Sequence, residues 1–244
     1  MIDSLLLHAD IAFFAVLAAF YVIDCGVLLH PNDILLVGSQ RHAFAVVTPM
    51  DGFLFSRKHA VFPAFLQPTR LLVSLSWPSA SETPDSDAHV QTLVARTKLL
   101  TPVRWGGAAL LLMLFVALPA SYLMAGEGLA LIVVVVATYA LVVTMVMSLL
   151  VLRGRLGLRW GATLALAFES LVCPPIAINL YRKTLLATFE GSRADLLGVS
   201  RALLGDTRYE HLLQSLRQLS EWPTARTDSP NFAPWRARLG ESSD

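Results

Sequence analysis

Three groups of residues have types and spacings that could do chemistry. Glu169 lies four residues before Cys173, so both would fall on one face of a helix. Pro174-Pro175 follow and would open a new helix with Cys173 near its N-cap, where the helix terminus favours a thiolate. A nucleophile beside a carboxylate would result, with Arg182 and Lys183 downstream to hold an anionic headgroup. The plainer reading is a bent helix with a small packed Cys at the bend and Glu169 salt-bridged or protonated, since buried cysteines usually serve packing. Asp24 is the second group. It interrupts the apolar run Ile11–Leu29, and an ionisable group at membrane depth is a functional candidate by default. It sits close to the end of that run, where Arg182 or Lys183 would pair with it in the headgroup zone. The third group is Arg57-Lys58-His59, set among Phe53, Phe55 and Phe62. Such a basic-aromatic patch suits anionic headgroups or a partner; the alternative is a solvated turn between strands.

Other chemistries lack their residues. The six histidines are scattered, and no pair has zinc-site spacing. Haem between membrane helices needs axial ligands from two spans, and the most apolar stretch of the chain contains no His. No cofactor and no metal is therefore expected. There is no Walker loop, no G-x-G-x-x-G after a strand, no H-E-x-x-H and no G-x-S-x-G. A net charge of +1 gives no nucleic-acid signature. Cys25 and Cys173 both lie in apolar runs and read as free thiols.

The elements that must position these residues are apolar. The chain is 55% hydrophobic and 15% charged, against about a quarter charged in a soluble domain. Residues 106–125 and 129–152 form two long apolar runs joined by Gly126-Glu127-Gly128. Each reaches the roughly 20 residues that a bilayer core demands of a helix, so a transmembrane hairpin is expected over 106–152. Residues 1–30 read as an N-terminal transmembrane anchor spanning Ile11–Leu29 and closed by His30-Pro31. Residues 31–78 alternate short apolar runs with turn residues, including Met50-Asp51-Gly52, and predict a small cytoplasmic β-rich subdomain of three or four strands. Residues 79–105 read as a Pro/Ser-rich linker and a juxtamembrane helix. Residues 153–191 are basic and then broken by Pro174-Pro175, which predicts an interfacial or re-entrant segment rather than a fourth span. In residues 192–221, Ser192 is an N-cap signal and two leucine stripes flank Gly205-Asp206, predicting a cytoplasmic amphipathic helical hairpin. Residues 222–244 read as a flexible tail. The expected fold class is thus mainly α and integral to a membrane.

Charge sets the expected orientation. Of the 19 Lys and Arg residues, seven lie between Pro31 and Trp105 and twelve after Leu152. None precedes Ile11 and none falls in the Gly126–Gly128 turn. The positive-inside rule then puts the N-terminus and that turn outside and the rest in the cytoplasm of a bacterial-type inner membrane. Few spans and few polar residues within them point to a non-catalytic accessory or scaffold subunit of a membrane assembly. Its expected partners are membrane lipid and other membrane subunits or further copies of itself. One alternative is a membrane enzyme acting on lipid or a lipid-linked substrate through Glu169 and Cys173. Another is an oligomeric channel or transporter subunit using Asp24.

Overall fold

The computed structural model describes residues 2–30, 33–39, 42–55, 58–63, 66–76, 86–125, 128–189 and 196–221. The chain is mostly helical, with a small antiparallel sheet portion. It divides into two units: a helical unit of Met1–Gly26, Ala64–Thr69 and Lys98–Thr188, and a sheet unit of Val27–Pro63, Arg70–Thr97 and Phe189–Asp244.

In the helical unit, α1 runs Ile2–Cys25. Its apolar run stops earlier than the sequence expectation of Leu29. Gly26 donates back to the Ile23 carbonyl, and Val27–Leu29 enter a strand instead. An apolar run by itself does not say where helix gives way to strand. Helix α3, Thr101–Leu112, starts with Pro102 in its first turn, where the missing N–H costs nothing. The ladder widens to a π turn over Met113–Ala117 and resumes as α4, Leu118–Ala125. Leu118 donates to the Met113 carbonyl across the wide turn, just before Pro119, which has no N–H to continue an α ladder. Helix α5 follows, Leu129–Leu156.

Among the described residues, two helices are long and apolar enough to cross a membrane. Thr101–Met124 has 24 residues at mean hydropathy 2.0, and Leu129–Leu156 has 28 at 2.8. At 1.5 Å per residue they extend about 36 and 42 Å, against a hydrocarbon core of about 30 Å. They pack on each other, and Val103, Leu110 and Leu114 of the first and Val142, Met145 and Leu149 of the second are buried. Gly157, in the left-handed conformation at φ 72°, closes α5 by donating to the Arg153 and Gly154 carbonyls. There the Arg153 guanidinium lies 3.8 Å from the Trp160 ring centroid, a cation–π pair at a helix end.

Helix α6, Trp160–Val172, ends at Cys173, whose extended backbone (φ −133°, ψ 91°) turns the chain into α7, Pro174–Ala177. Both prolines occupy the first turn of α7, where neither breaks a hydrogen bond. Helix α8 continues over Leu180–Phe189. With 13 residues, α6 extends about 20 Å, short of a hydrocarbon core. Gly107 of α3 admits the backbone at Ile178: a Cβ there would stand 2.6 Å from the Ile178 carbonyl oxygen.

Among the described residues the sheet unit holds two three-stranded antiparallel sheets, and five of the six strands fall within 31–78, where three or four were expected. The strands are β1 Val27–Leu29, β2 Asp33–Ser39, β3 His42–Val47, β4 Phe53–Phe55, β5 Lys58–Val61 and β6 Leu71–Ser76. One sheet has the order β1-β5-β4 and the other β3-β2-β6. Ile34, Leu35 and Leu36 of β2 are all fully buried, so this central strand is covered on both faces and reads as a run rather than an alternation. Pro49–Asp51 forms a 3-10 turn where Met50-Asp51-Gly52 was expected to turn the chain. The Asp51 carboxylate accepts from the Thr48 N–H at 2.7 Å and the Thr48 hydroxyl at 3.0 Å, a local capping that closes the turn. Gly52 is extended; a Cβ there would meet the Ala60 carbonyl oxygen at 2.5 Å.

Helix α2, Ser86–Leu99, precedes the membrane-length helices. Helices α9, Leu196–Leu204, and α10, Asp206–Glu221, turn about Gly205 at φ 71° and pack on β3. Arg208 of α10 donates to the Phe44 carbonyl at 2.8 Å. The expected N-cap Ser192, the linker residues 79–85, most of the Gly126–Gly128 turn and the tail 222–244 lie outside the described residues.

Candidate functional site

The helical unit gathers most of the residues singled out by type. Asp24 stands at the last turn of α1, and α1 packs on α7. The break at Cys173 sends the chain back through α7 into α8, which brings Lys183 beside Glu169 of α6. Lys183 Nζ lies 2.5 Å from Asp24 Oδ1 and 3.1 Å from Glu169 Oε2. One ammonium therefore ties α1, α6 and α8. The Asp24 side chain is 8% exposed and that of Glu169 48%, so the first contact is a buried pair and the second a partly solvated one.

Asn179, in the turn before α8, completes the cluster. Its Nδ2 donates to Asp24 Oδ2 at 3.0 Å and to Cys25 Sγ at 3.3 Å, while its Oδ1 accepts from an Arg182 Nη at 3.2 Å. Asn179 and Arg182 are both buried, at 2% exposure. Arg182 thus faces inward and is engaged with Asn179. Burial pulls the Lys183 ammonium down, but the Asp24 and Glu169 carboxylates outweigh it and hold the group above its ordinary pKa. Burial lowers the Arg182 guanidinium, offset in part by the Cys25, Tyr21 and Asp24 side chains. The arrangement satisfies charges against one another: two carboxylates, one ammonium, one guanidinium and an amide that bridges them.

Cys173 is half-buried at the α6–α7 break, where its N–H donates to the Glu169 carbonyl at 3.0 Å. The Glu169 carboxylate is directed to Lys183 rather than held for a proton transfer at sulfur. Cys25 is buried, and both cysteines are free. Among the described residues no group of His, Cys, Asp and Glu has the arrangement of a metal site. Of the basic-aromatic patch, Lys58 is half-buried at the start of β5, His59 follows it on the same strand, and Arg57 lies outside the described residues.

Asn179 was visible in the sequence only as a lone amide in an apolar stretch. Its signal was its place between Pro174-Pro175 and Arg182-Lys183. A second feature had no sequence signal. In the sheet unit, Thr48, Asp51, Arg208, His211 and Ser215 line a concavity of about 240 Å³. It brings together the 3-10 turn and α10, which are far apart in the chain.

Comparisons with protein-family models, curated proteins and solved structures found no match to this chain.

Proposed function

We propose that this chain is a non-catalytic accessory or scaffold subunit of a membrane protein assembly. The observation that carries the reading is the Asp24–Lys183–Glu169 cluster. The ionisable groups best suited to chemistry are bound to one another across three helices, and Asn179 fills remaining bonds of Asp24 and Arg182. An ion-handling or acid–base group would need a lone pair or proton free to exchange. This cluster instead fixes a helix arrangement, the role in which a breached ion pair is most damaging.

In this reading α1 crosses a bacterial-type inner membrane and the two membrane-length helices form a hairpin in it. The N-terminus and the residue 126–128 turn lie outside, and the sheet unit and C-terminal helices lie in the cytoplasm, in accord with the distribution of Lys and Arg. The broad apolar flank of α5, with Val133, Val136, Val143, Met147 and Val151 exposed, then meets lipid or the helices of a partner.

The test is purification of the tagged chain at native abundance in mild detergent, followed by mass spectrometry. A stoichiometric membrane-protein partner is the expected result. A chain recovered alone, or with lipid only, overturns the subunit reading and returns the weight to lipid chemistry at Glu169 and Cys173.

A further inference from the structure

Strand β4 is unusual among the strands. Phe53, Leu54 and Phe55 are 58%, 67% and 63% exposed, so side chains on both faces of the strand meet solvent. It pairs only with β5, in the register Phe53↔Ala60, Leu54↔His59 and Phe55↔Lys58, and it is the edge of its sheet. Phe62, 41% exposed, stacks on Phe53 with ring centroids 5.8 Å apart. A bare apolar edge of this kind is a liability in water. Asp51 precedes the strand, and beyond it the sequence is basic. From Gly52 to Ser81 the sequence contains Arg57, Lys58 and Arg70 and no Asp or Glu.

We propose that the β4–β5 hairpin seats in the interfacial layer of an anionic lipid membrane, with Phe53, Leu54 and Phe55 in the acyl boundary and Lys58 toward the headgroups. Two features select lipid as the occupant. A protein strand added to β4 would satisfy its edge but would leave Phe53 and Phe55 on one face, and Leu54 on the other, in water. A lipid layer surrounds a hairpin tip on both faces at once. Lys58, paired with Phe55 in the strand register, complements anionic headgroups, and its sequence neighbour Arg57 adds a second charge; each basic group near such a surface strengthens association about 5-fold. The proposal rests on the membrane location in the preceding reading and not on a protein partner.

The experiment uses the full chain, purified and reconstituted in lipid nanodiscs, so no other protein is present. Leu54→Cys, in a Cys173→Ala background, carries an environment-sensitive fluorophore; buried Cys25 stays unlabelled. Discs contain either phosphatidylcholine alone or phosphatidylcholine with phosphatidylglycerol. The expected result is quenching by nitroxides on the upper acyl chain and protection from aqueous iodide in the anionic discs. The combined Arg57→Glu and Lys58→Glu variant should shift the embedded-to-exposed ratio about 30-fold toward water. Quenching by iodide and not by lipid nitroxide overturns the proposal. Protection from both quenchers also overturns it, because protein then covers the strand. Phe55→Cys gives a second labelling position, and either labelled chain is scored only when its elution profile matches the unlabelled protein. Failure here leaves the partner purification unaffected, so the two readings fall separately.

Discussion

Lys183→Met removes the shared cation of the helical unit and leaves two carboxylates behind. Their costs differ because their surroundings do. Asp24 is 8% exposed, so it becomes a buried, uncompensated charge; breaking a buried pair on one side costs about 3–5 kcal/mol. Asn179 still donates to it at 3.0 Å, which lowers the expected loss to about 2–3 kcal/mol. Glu169 is 48% exposed, and water replaces its partner at a cost of about 0–1 kcal/mol. For a chain of this size each kcal/mol corresponds to about 2–4 °C. Lys183→Met should therefore lower the unfolding midpoint by about 5–10 °C, and Glu169→Gln by no more than about 3 °C. The double variant Asp24→Asn with Lys183→Met should recover more than half of the loss, since no buried charge is then stranded. The assay is thermal unfolding in mild detergent, followed by the fraction eluting as the native species after heating. Equal shifts for Lys183→Met and Glu169→Gln, or no recovery in the double variant, would refute the reasoning.

Further expectations follow from the same geometry. Gly107→Ala should destabilise by about 1–3 kcal/mol, because its Cβ meets the Ile178 backbone; Gly106→Ala should cost less, because the obstacle is the flexible Met145 side chain. Thermal midpoints of the two variants check the order. Asp51→Ala should cost about 1 kcal/mol by removing the acceptor for the Thr48 N–H and hydroxyl, measurable as a fall of about 2–4 °C. The pH dependence has a defined sign. Against the pull of burial, the Asp24 and Glu169 carboxylates raise Lys183 above its ordinary value of 10.5 in the folded chain, so its stabilisation is fully present below about pH 10.5 and is lost as pH climbs through the higher folded value. The stability gap between wild type and Lys183→Met should hold constant up to about pH 10 and narrow beyond it.

Composition and hydropathy made the two long helices legible, because a membrane-length apolar run has few other uses. The π turn at Met113–Ala117 was not, although Pro119 is its local cause: a proline in an apolar run marks a disturbance without saying which hydrogen bonds rearrange. The sheet was legible in kind but not in number. Val27–Leu29 continue the apolar run of α1 and carry no turn signal beyond Gly26, so their pairing with β5 is a tertiary fact. At Met50-Asp51-Gly52 the turn was legible, but its 3-10 form, closed by the Thr48–Asp51 capping, depends on the conformation of the preceding residues.

Among the candidate residues, pattern suggested that Asp24 needed a cation and that Arg182-Lys183 could supply one. It could not choose between them. The direction in which the Cys173 break returns the chain decides that Lys183 reaches the carboxylates while Arg182 points to Asn179. Asn179 itself is an ordinary amide until that turn places it between Asp24, Cys25 and Arg182.

The central proposal, a membrane hairpin whose turn faces outside and whose C-terminal helices lie in the cytoplasm, is tested most directly by cysteine accessibility in intact cells. Glu127→Cys and Gln214→Cys, each in the Cys173→Ala background, are treated with a membrane-impermeant maleimide before and after permeabilisation, and the membranes are then washed with alkaline carbonate. The account predicts that the chain stays in the washed membrane, that position 127 is modified in intact cells, and that position 214 is modified only after permeabilisation. Release of the chain by carbonate, or modification of position 214 from outside, would contradict it.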